Sequence, residues 1–170
     1  MDVEIHPESS GDRDAIRRVN QAAFGGDAEA NLDDALRDGG FAEVSLVAAL
    51  DGEIVGHIVF SPVSLMTQAG IVDAISLAPM AVVPSQQRRG IGSRLVEEGL
   101  QVCRKRGHRI VVVLGHPDFY SRFGFSSKLA TLLESPFGGG EAWMALELVP
   151  GSLSGIEGRV EYSPPFKMFE

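Results

Sequence analysis

The chain has 170 residues and a formal net charge of −8, with 44% hydrophobic and 22% charged residues; this fits one well-packed domain, 1–170, and argues against wholesale disorder. An acidic surface repels polyphosphate backbones, so no nucleic-acid partner is expected, and a phosphorylated ligand needs locally concentrated donors. The single cysteine, Cys103, rules out an intramolecular disulfide and a cysteine-rich metal site, and no metal is expected.

No run approaches the ~20 apolar residues of a membrane span. The opening residues, Met1 to Pro7, lack the basic-then-apolar order of a secretory signal, so a cytoplasmic protein is expected.

Val3 and Ile5 alternate with polar neighbours, the period of a half-buried strand. Asp12 is expected to cap a helix whose apolar face is Ala15, Ile16, Val19, Ala22 and Ala23, broken by Gly25-Gly26. A second helix reads from Asp27 to Arg37 and ends at Gly39-Gly40. Val44 to Leu50 and Ile54 to Phe60 flank Asp51-Gly52, a strong two-residue hairpin turn. Extended segments follow at Val63 to Thr67 and Ile71 to Val83, the latter stopped by Pro84. A helix from Gly92 to Arg106 precedes Ile110 to Leu114, apolar throughout as in a strand covered on both faces. Phe119 to Phe123 reads as a helical turn, Glu134 to Glu141 as a loop, and Trp143 to Val149 and Val160 to Tyr162 as strands. This order gives a mixed α/β sheet with helices over it.

The informative stretch is Ala81-Val82-Val83-Pro84-Ser85-Gln86-Gln87-Arg88-Arg89-Gly90-Ile91-Gly92-Ser93, which runs from a strand through a turn into a helix. A helix N-terminus offers unpaired N–H groups and the positive end of the dipole. Gly90 and Gly92 let the backbone approach a phosphate, and Arg88 and Arg89 supply local positive charge. A dinucleotide fingerprint fails because Leu95 stands where its third glycine belongs, and no Gly-Lys-Ser/Thr tripeptide is present.

With Val82, Pro84, Gln87, Gly90 and Gly92 at this spacing, the segment resembles the acetyl-CoA signature of the GNAT superfamily of N-acetyltransferases. Leu114-Gly115-His116-Pro117-Asp118-Phe119-Tyr120-Ser121-Arg122-Phe123-Gly124-Phe125 is similar to that family's fifth strand and tyrosine helix, in a wording nearest its bacterial YhbS group. The resemblance implies an acyl-CoA N-acyltransferase fold of about six to seven strands, antiparallel in its first half. It also implies splayed central strands, here Ile71 to Val83 and Ile110 to Leu114, with flanking helices.

It further implies acetyl-CoA as co-substrate. Backbone amides from Arg88 through Arg89, Gly90, Ile91 and Gly92 to Ser93 would hold the pyrophosphate, Gln87 opens that signature, and Ala81, Val82 and Val83 would pair with the pantetheine arm. Tyr120 takes the family's tyrosine position, implying an acid toward the leaving thiolate. Many family members place an asparagine where this chain has Gly115-His116-Pro117.

The expected reaction is acetyl transfer to a primary amine of a small-molecule acceptor by direct attack in a ternary complex. The amine must lose a proton and an oxyanion must be stabilised, for which the Val82 N–H is a candidate. His116, at a strand end, is weighed as a base against a loop-supporting role, and His57, beside Gly56 on one face of a strand, as a residue lining the acceptor groove. An acyl-CoA sensor without turnover and a protein acetyltransferase are the rival readings, and homodimerisation is left open.

Overall fold

A computed structural model describes residues 2–169. The chain forms two compact units, one of Met1–Phe60 with Ala78–Val102 and the other of Ser61–Leu77 with Cys103–Glu170. Among the described residues, no helix is long and apolar enough to cross a membrane.

In the first unit, β1 (Val3–Pro7) pairs antiparallel with β2 (Val44–Leu50), from Val3↔Leu50 to Pro7↔Leu46. The strand β3 (Glu53–Thr67) returns along β2 as far as Val44↔Phe60. Their turn has positive φ at both central residues, Asp51 at 51° and Gly52 at 80°, the hairpin geometry that Asp-Gly favours. Helices α1 (Arg13–Phe24) and α2 (Ala28–Asp38) bury Ile16, Val19, Leu32 and Leu36. Asp12 does not cap α1 as expected. Its carboxylate reaches back to the Ser9 N–H at 2.8 Å and closes the 3-10 turn Ser10–Asp12 that leads into the helix. Helix α3 (Ile91–Lys105) buries Leu95, Val96 and Leu100, and its Gly99 lets Phe60 approach: a Cβ there would meet the ring, with Cζ at 2.9 Å.

In the second unit, the first half of β4 (Gly70–Val82) pairs in parallel with β5 (Ile110–Leu114) at Ile75↔Val111 and Ser76↔Val112. β5 pairs antiparallel along its whole length with β7 (Trp143–Glu147). β6 (Leu133–Glu134) and the end of β3 both pair with β8 (Gly158–Tyr162). Leu65, Ile110, Val112, Ala145 and Val160 form the core here, and Trp143 Nε1 donates to Leu133 O at 2.8 Å. The short helix α4 (Pro117–Tyr120) continues into a 3-10 turn, Ser121–Phe123.

The mixed α/β architecture, antiparallel at its start and flanked by helices, matches the expectation, with two differences. The described residues hold eight strands, because β6 is a two-residue strand inside sequence with no alternation. The two segments expected at Ile54 to Phe60 and Val63 to Thr67 form one 15-residue strand, β3, that runs through Pro62. β3 pairs with β2 up to Phe60 and with β8 from Val63, so Pro62 falls between the two registers and its missing N–H interrupts neither.

Candidate functional site

The signature segment lies wholly in the first unit and is folded by its own hydrogen bonds. Val83 N–H donates to Val55 O of β3 at 2.9 Å. Side chains and backbone groups alternate along a strand, so Ala81 shares that edge while the Val82 N–H is presented on the opposite one. A 3-10 turn, Pro84–Gln86, then reverses the chain, with Gln86 N–H bonded to Val83 O at 2.9 Å. Gln87 Nε2 donates to Val82 O at 2.9 Å and ties the loop to the strand end. The Gln87 side chain is therefore engaged within the protein, and what it leaves for a ligand is backbone.

Arg88 has φ 64° and Gly90 φ 85°, two left-handed residues within three positions. Glycine adopts that region without a steric penalty, whereas arginine costs of order 1 kcal/mol or more there and persists only when its surroundings hold it. Such alternation turns successive N–H groups to one concave side, the form of an anion nest. Arg94 N–H bonds to Gly90 O at 3.1 Å and Ile91 is buried, fixing the first turn of α3 directly behind the loop. Gln87, Arg88, Arg89 and Gly90 are exposed, while Gly92 and Ser93 are half-buried. The arrangement is a strand end, a nest and a helix N-terminus in sequence, chemically suited to a diphosphate with an extended arm.

Tyr120 closes α4 in the second unit. Pro117 occupies the first helical position, where no N–H is needed, and His116 O accepts from both Phe119 and Tyr120 at 3.1 Å. The phenol ring is 8% exposed and stands edge-on to Phe119 and Phe125, with centroids 4.9 and 5.7 Å away. Burial pushes its pKa up to about 12.

Gly115 makes room for that ring, since a Cβ at this position would strike it, with Tyr120 Cδ2 at 2.9 Å. The sequence reading missed this support; its available signal was a glycine five residues before the tyrosine. It also missed Arg122, whose guanidinium lies over the Phe119 and Phe123 rings, 4.9 and 5.6 Å from their centroids.

The two histidines singled out in the sequence stand in different surroundings. His116 is exposed at the start of α4, with its backbone carbonyl bonded into the helix. His57 lines no groove: it is 0% exposed, inside an ionic cluster of the first unit. Ser45 Oγ donates to Glu8 Oε1 at 2.5 Å and lies 2.8 Å from His57 Nε2. The hydroxyl has one proton, so Nε2 of His57 carries its own and donates it to Ser45. Direct separations from His57 Nε2, 3.6 Å to Glu8 and 3.9 Å to Asp33, exceed hydrogen-bond range. Arg37 completes the cluster with bonds to Glu8 at 2.5 and 2.8 Å and to Asp33 at 2.7 Å. Burial alone would raise the Glu8 pKa, but His57, Arg37 and Ser45 outweigh it and hold the carboxyl well below the usual carboxylate range. The cluster fastens α2 to β2, β3 and Glu8, the residue that follows β1.

Comparison with known proteins gives one consistent result. Residues 4–127 match the family model described as Acetyltransferase (GNAT) domain. The uncharacterised N-acetyltransferase YhbS of Escherichia coli K12 is 37% identical over 169 residues, covering 98% of each chain. A second protein of that organism, YjhQ, is 37% identical over 123 residues, 71% of this chain and 68% of its own. The crystal structure of E. coli YhbS in complex with CoA superposes with TM-score 0.91 at 35% identity, covering 99% of this chain and 93% of that one. A GNAT family acetyltransferase from Brucella melitensis in complex with acetyl-CoA gives TM-score 0.81 at 33% identity, covering 97% and 98%.

Proposed function

Since the chain belongs to the GNAT acetyltransferase family, we propose that it transfers the acetyl group of acetyl-CoA to a primary amine of a small molecule, by direct attack. The observation that carries this reading is the run from the Val82 edge through the left-handed Arg88 and Gly90 to the first turn of α3. Two relatives that cover nearly the whole chain carry CoA or acetyl-CoA. The family match runs through residues of both units, which supports treating 1–170 as one catalytic domain. A cytoplasmic location agrees with the reading and with the bacterial relatives.

In this account the backbone N–H groups of Arg88 to Ser93 hold the pyrophosphate. Gln87 keeps the loop in place through Val82 O, and Ala81, Val82 and Val83 lie along the pantetheine. The amine, once deprotonated, attacks the thioester carbonyl carbon: the N–C bond forms and the carbonyl oxygen takes the negative charge, beside the Val82 N–H. As the oxyanion collapses, the C–S bond breaks and the electron pair leaves on sulfur.

Tyr120 is assigned to that sulfur. Complete proton transfer from a phenol of pKa about 12 to a thiolate whose acid has pKa about 8.5 is uphill by about 5 kcal/mol. Tyr120 therefore acts by hydrogen-bonding the sulfur as charge builds, and the proton released by the amine ends on the thiol through solvent exchange.

Thermal unfolding tests the cofactor assignment. Acetyl-CoA at 100 times its Kd should stabilise the protein by about 2.7 kcal/mol. Gly90→Asp or Gly92→Asp should abolish the shift by placing negative charge and bulk at the pyrophosphate. A shift with NADH or ATP and none with CoA would sink the assignment.

A further inference from the structure

We propose that Gln87 is a positioning residue for acetyl transfer. By occupying the Val82 carbonyl it turns the ligand edge of β4 at Val82 into a donor-only site, fitted to a thioester carbonyl and to the oxyanion formed from it. The proposal deepens the acetyl-transfer reading and rests on it in placing the thioester beside the Val82 N–H.

Two contacts within the first unit fix which edge is which. Val83 N–H bonds to Val55 O of β3 at 2.9 Å. A Cβ on Gly56 of β3 would lie 3.3 Å from Ala81 O, so Ala81 turns its carbonyl to β3 as well. In a strand the N–H and C=O of one residue point to the same side, and those of its neighbours to the other. Val82 N–H and Val82 O therefore stand together on the edge away from β3.

Left alone, such a pair of groups is the complement of an amide, which returns a C=O and an N–H. A thioester has only the oxygen to offer, because its sulfur carries no proton. A bare Val82 O would then face the developing oxyanion as a like partial charge.

Gln87 removes that mismatch. Its Nε2 donates to Val82 O at 2.9 Å, and only the nitrogen end of a carboxamide can bond a carbonyl, so the orientation of the side chain is fixed. The positive end of the amide dipole sits on Val82 O and offsets the carbonyl's negative one. The donor belongs to the chain itself, five residues on, so no water has to reorganise as charge builds. A preorganised dipole is worth most under that condition.

Isotope-edited infrared spectroscopy of acetyl-CoA, labelled at the thioester carbonyl carbon and bound to the full chain at saturation, tests this role. Bound to wild type, the carbonyl stretch should lie below its value in water. Gln87→Met, which has no donor, should return it most of the way to that value, and Gln87→Glu further still. Gln87→Arg, which restores a donor to Val82 O, should keep it at or below the wild-type position. At saturation the stretch is insensitive to lost affinity, which separates this role from fastening of the loop. By isothermal titration, Gln87→Met should weaken acetyl-CoA more than CoA, which has no thioester carbonyl, by roughly 3- to 10-fold.

An unchanged stretch in Gln87→Met, or equal losses for CoA and acetyl-CoA, overturns the proposal, since Gln87 would then serve the loop alone. A wild-type stretch equal to that in water overturns it too, by taking the thioester away from the Val82 N–H, and leaves the cofactor assignment standing. Wild-type protein that binds no acetyl-CoA would sink the acetyl-transfer reading itself, and this role with it.

Discussion

Gly115 and Tyr120 fit each other without slack: the space a Cβ on Gly115 would need is filled by the tyrosine ring, whose Cε2 and Cδ2 are the nearest atoms. Buried on its other sides by Phe119 and Phe125, the ring can yield only by moving its hydroxyl. Gly115→Ala should therefore lower kcat by roughly 10²-fold, since a displacement of about 1 Å is worth that much. CoA-induced stabilisation should persist. Steady-state kinetics beside thermal shifts check this, and wild-type kcat in Gly115→Ala would remove Tyr120 from the chemistry.

Tyr120 is buried and Tyr162 half-buried, and desolvation raises both phenols, Tyr120 to about 12 and Tyr162 further. A phenol ordinarily titrates near 10. Ultraviolet absorbance of the folded protein at that pH should show almost no phenolate, whereas the unfolded chain should show about half. The sign for stability follows. The raised folded pKa favours the protonated state, so this contribution is present in full below the unfolded value and is lost as pH rises from about 10 through the folded values. Tyr120→Phe should flatten that decline, and activity should show no falling limb from Tyr120 below about pH 11.

Glu8 gives the opposite slope. Its folded pKa lies well below the ordinary 4.5, so its stabilisation is present above the unfolded value and disappears as pH falls through 4.5 toward the folded one. Glu8 and Arg37 are only 14% and 18% exposed, and Glu8→Gln leaves that guanidinium short of a charge. Denaturant unfolding near pH 7 should show a loss of about 2–4 kcal/mol. The variant should lose less than wild type on going to about pH 3. Equal losses in both proteins would assign the acid sensitivity to other carboxylates.

What could be read in the sequence was local, and what could not was a matter of distant partners. Gln87 to Gly92 carries its geometry in its own residue types, because a left-handed turn wants glycine and a helix start exposes N–H groups. Asp51-Gly52 marked its hairpin for the same reason.

His57, by contrast, sits in an alternating strand, and alternation does not tell a groove from a buried face. Its environment depends on Glu8, Asp33 and Ser45, which come from three other segments. Ile54 to Phe60 and Val63 to Thr67 read as two extended segments because the change of pairing partner between them is set by β8, a hundred residues later. Asp12 had the right identity for a cap but bonded the Ser9 N–H. The importance of Gly115 appears only once the Tyr120 ring is in place.

The central claim is acetyl transfer to an amine, and the most direct measurement follows both products of one reaction. Protein, acetyl-CoA and a panel of primary amines, apolar amino acids included, are incubated; free thiol is read by colour and the amine by mass spectrometry. The account predicts amine-dependent thiol release with one acetyl group gained by the amine, mole for mole, and a rate reduced roughly 10²–10³-fold in Tyr120→Phe under single-turnover conditions. Acetyl-CoA that binds tightly yet yields neither thiol nor acetylated amine across the panel would contradict it, and would make the protein an acyl-CoA sensor.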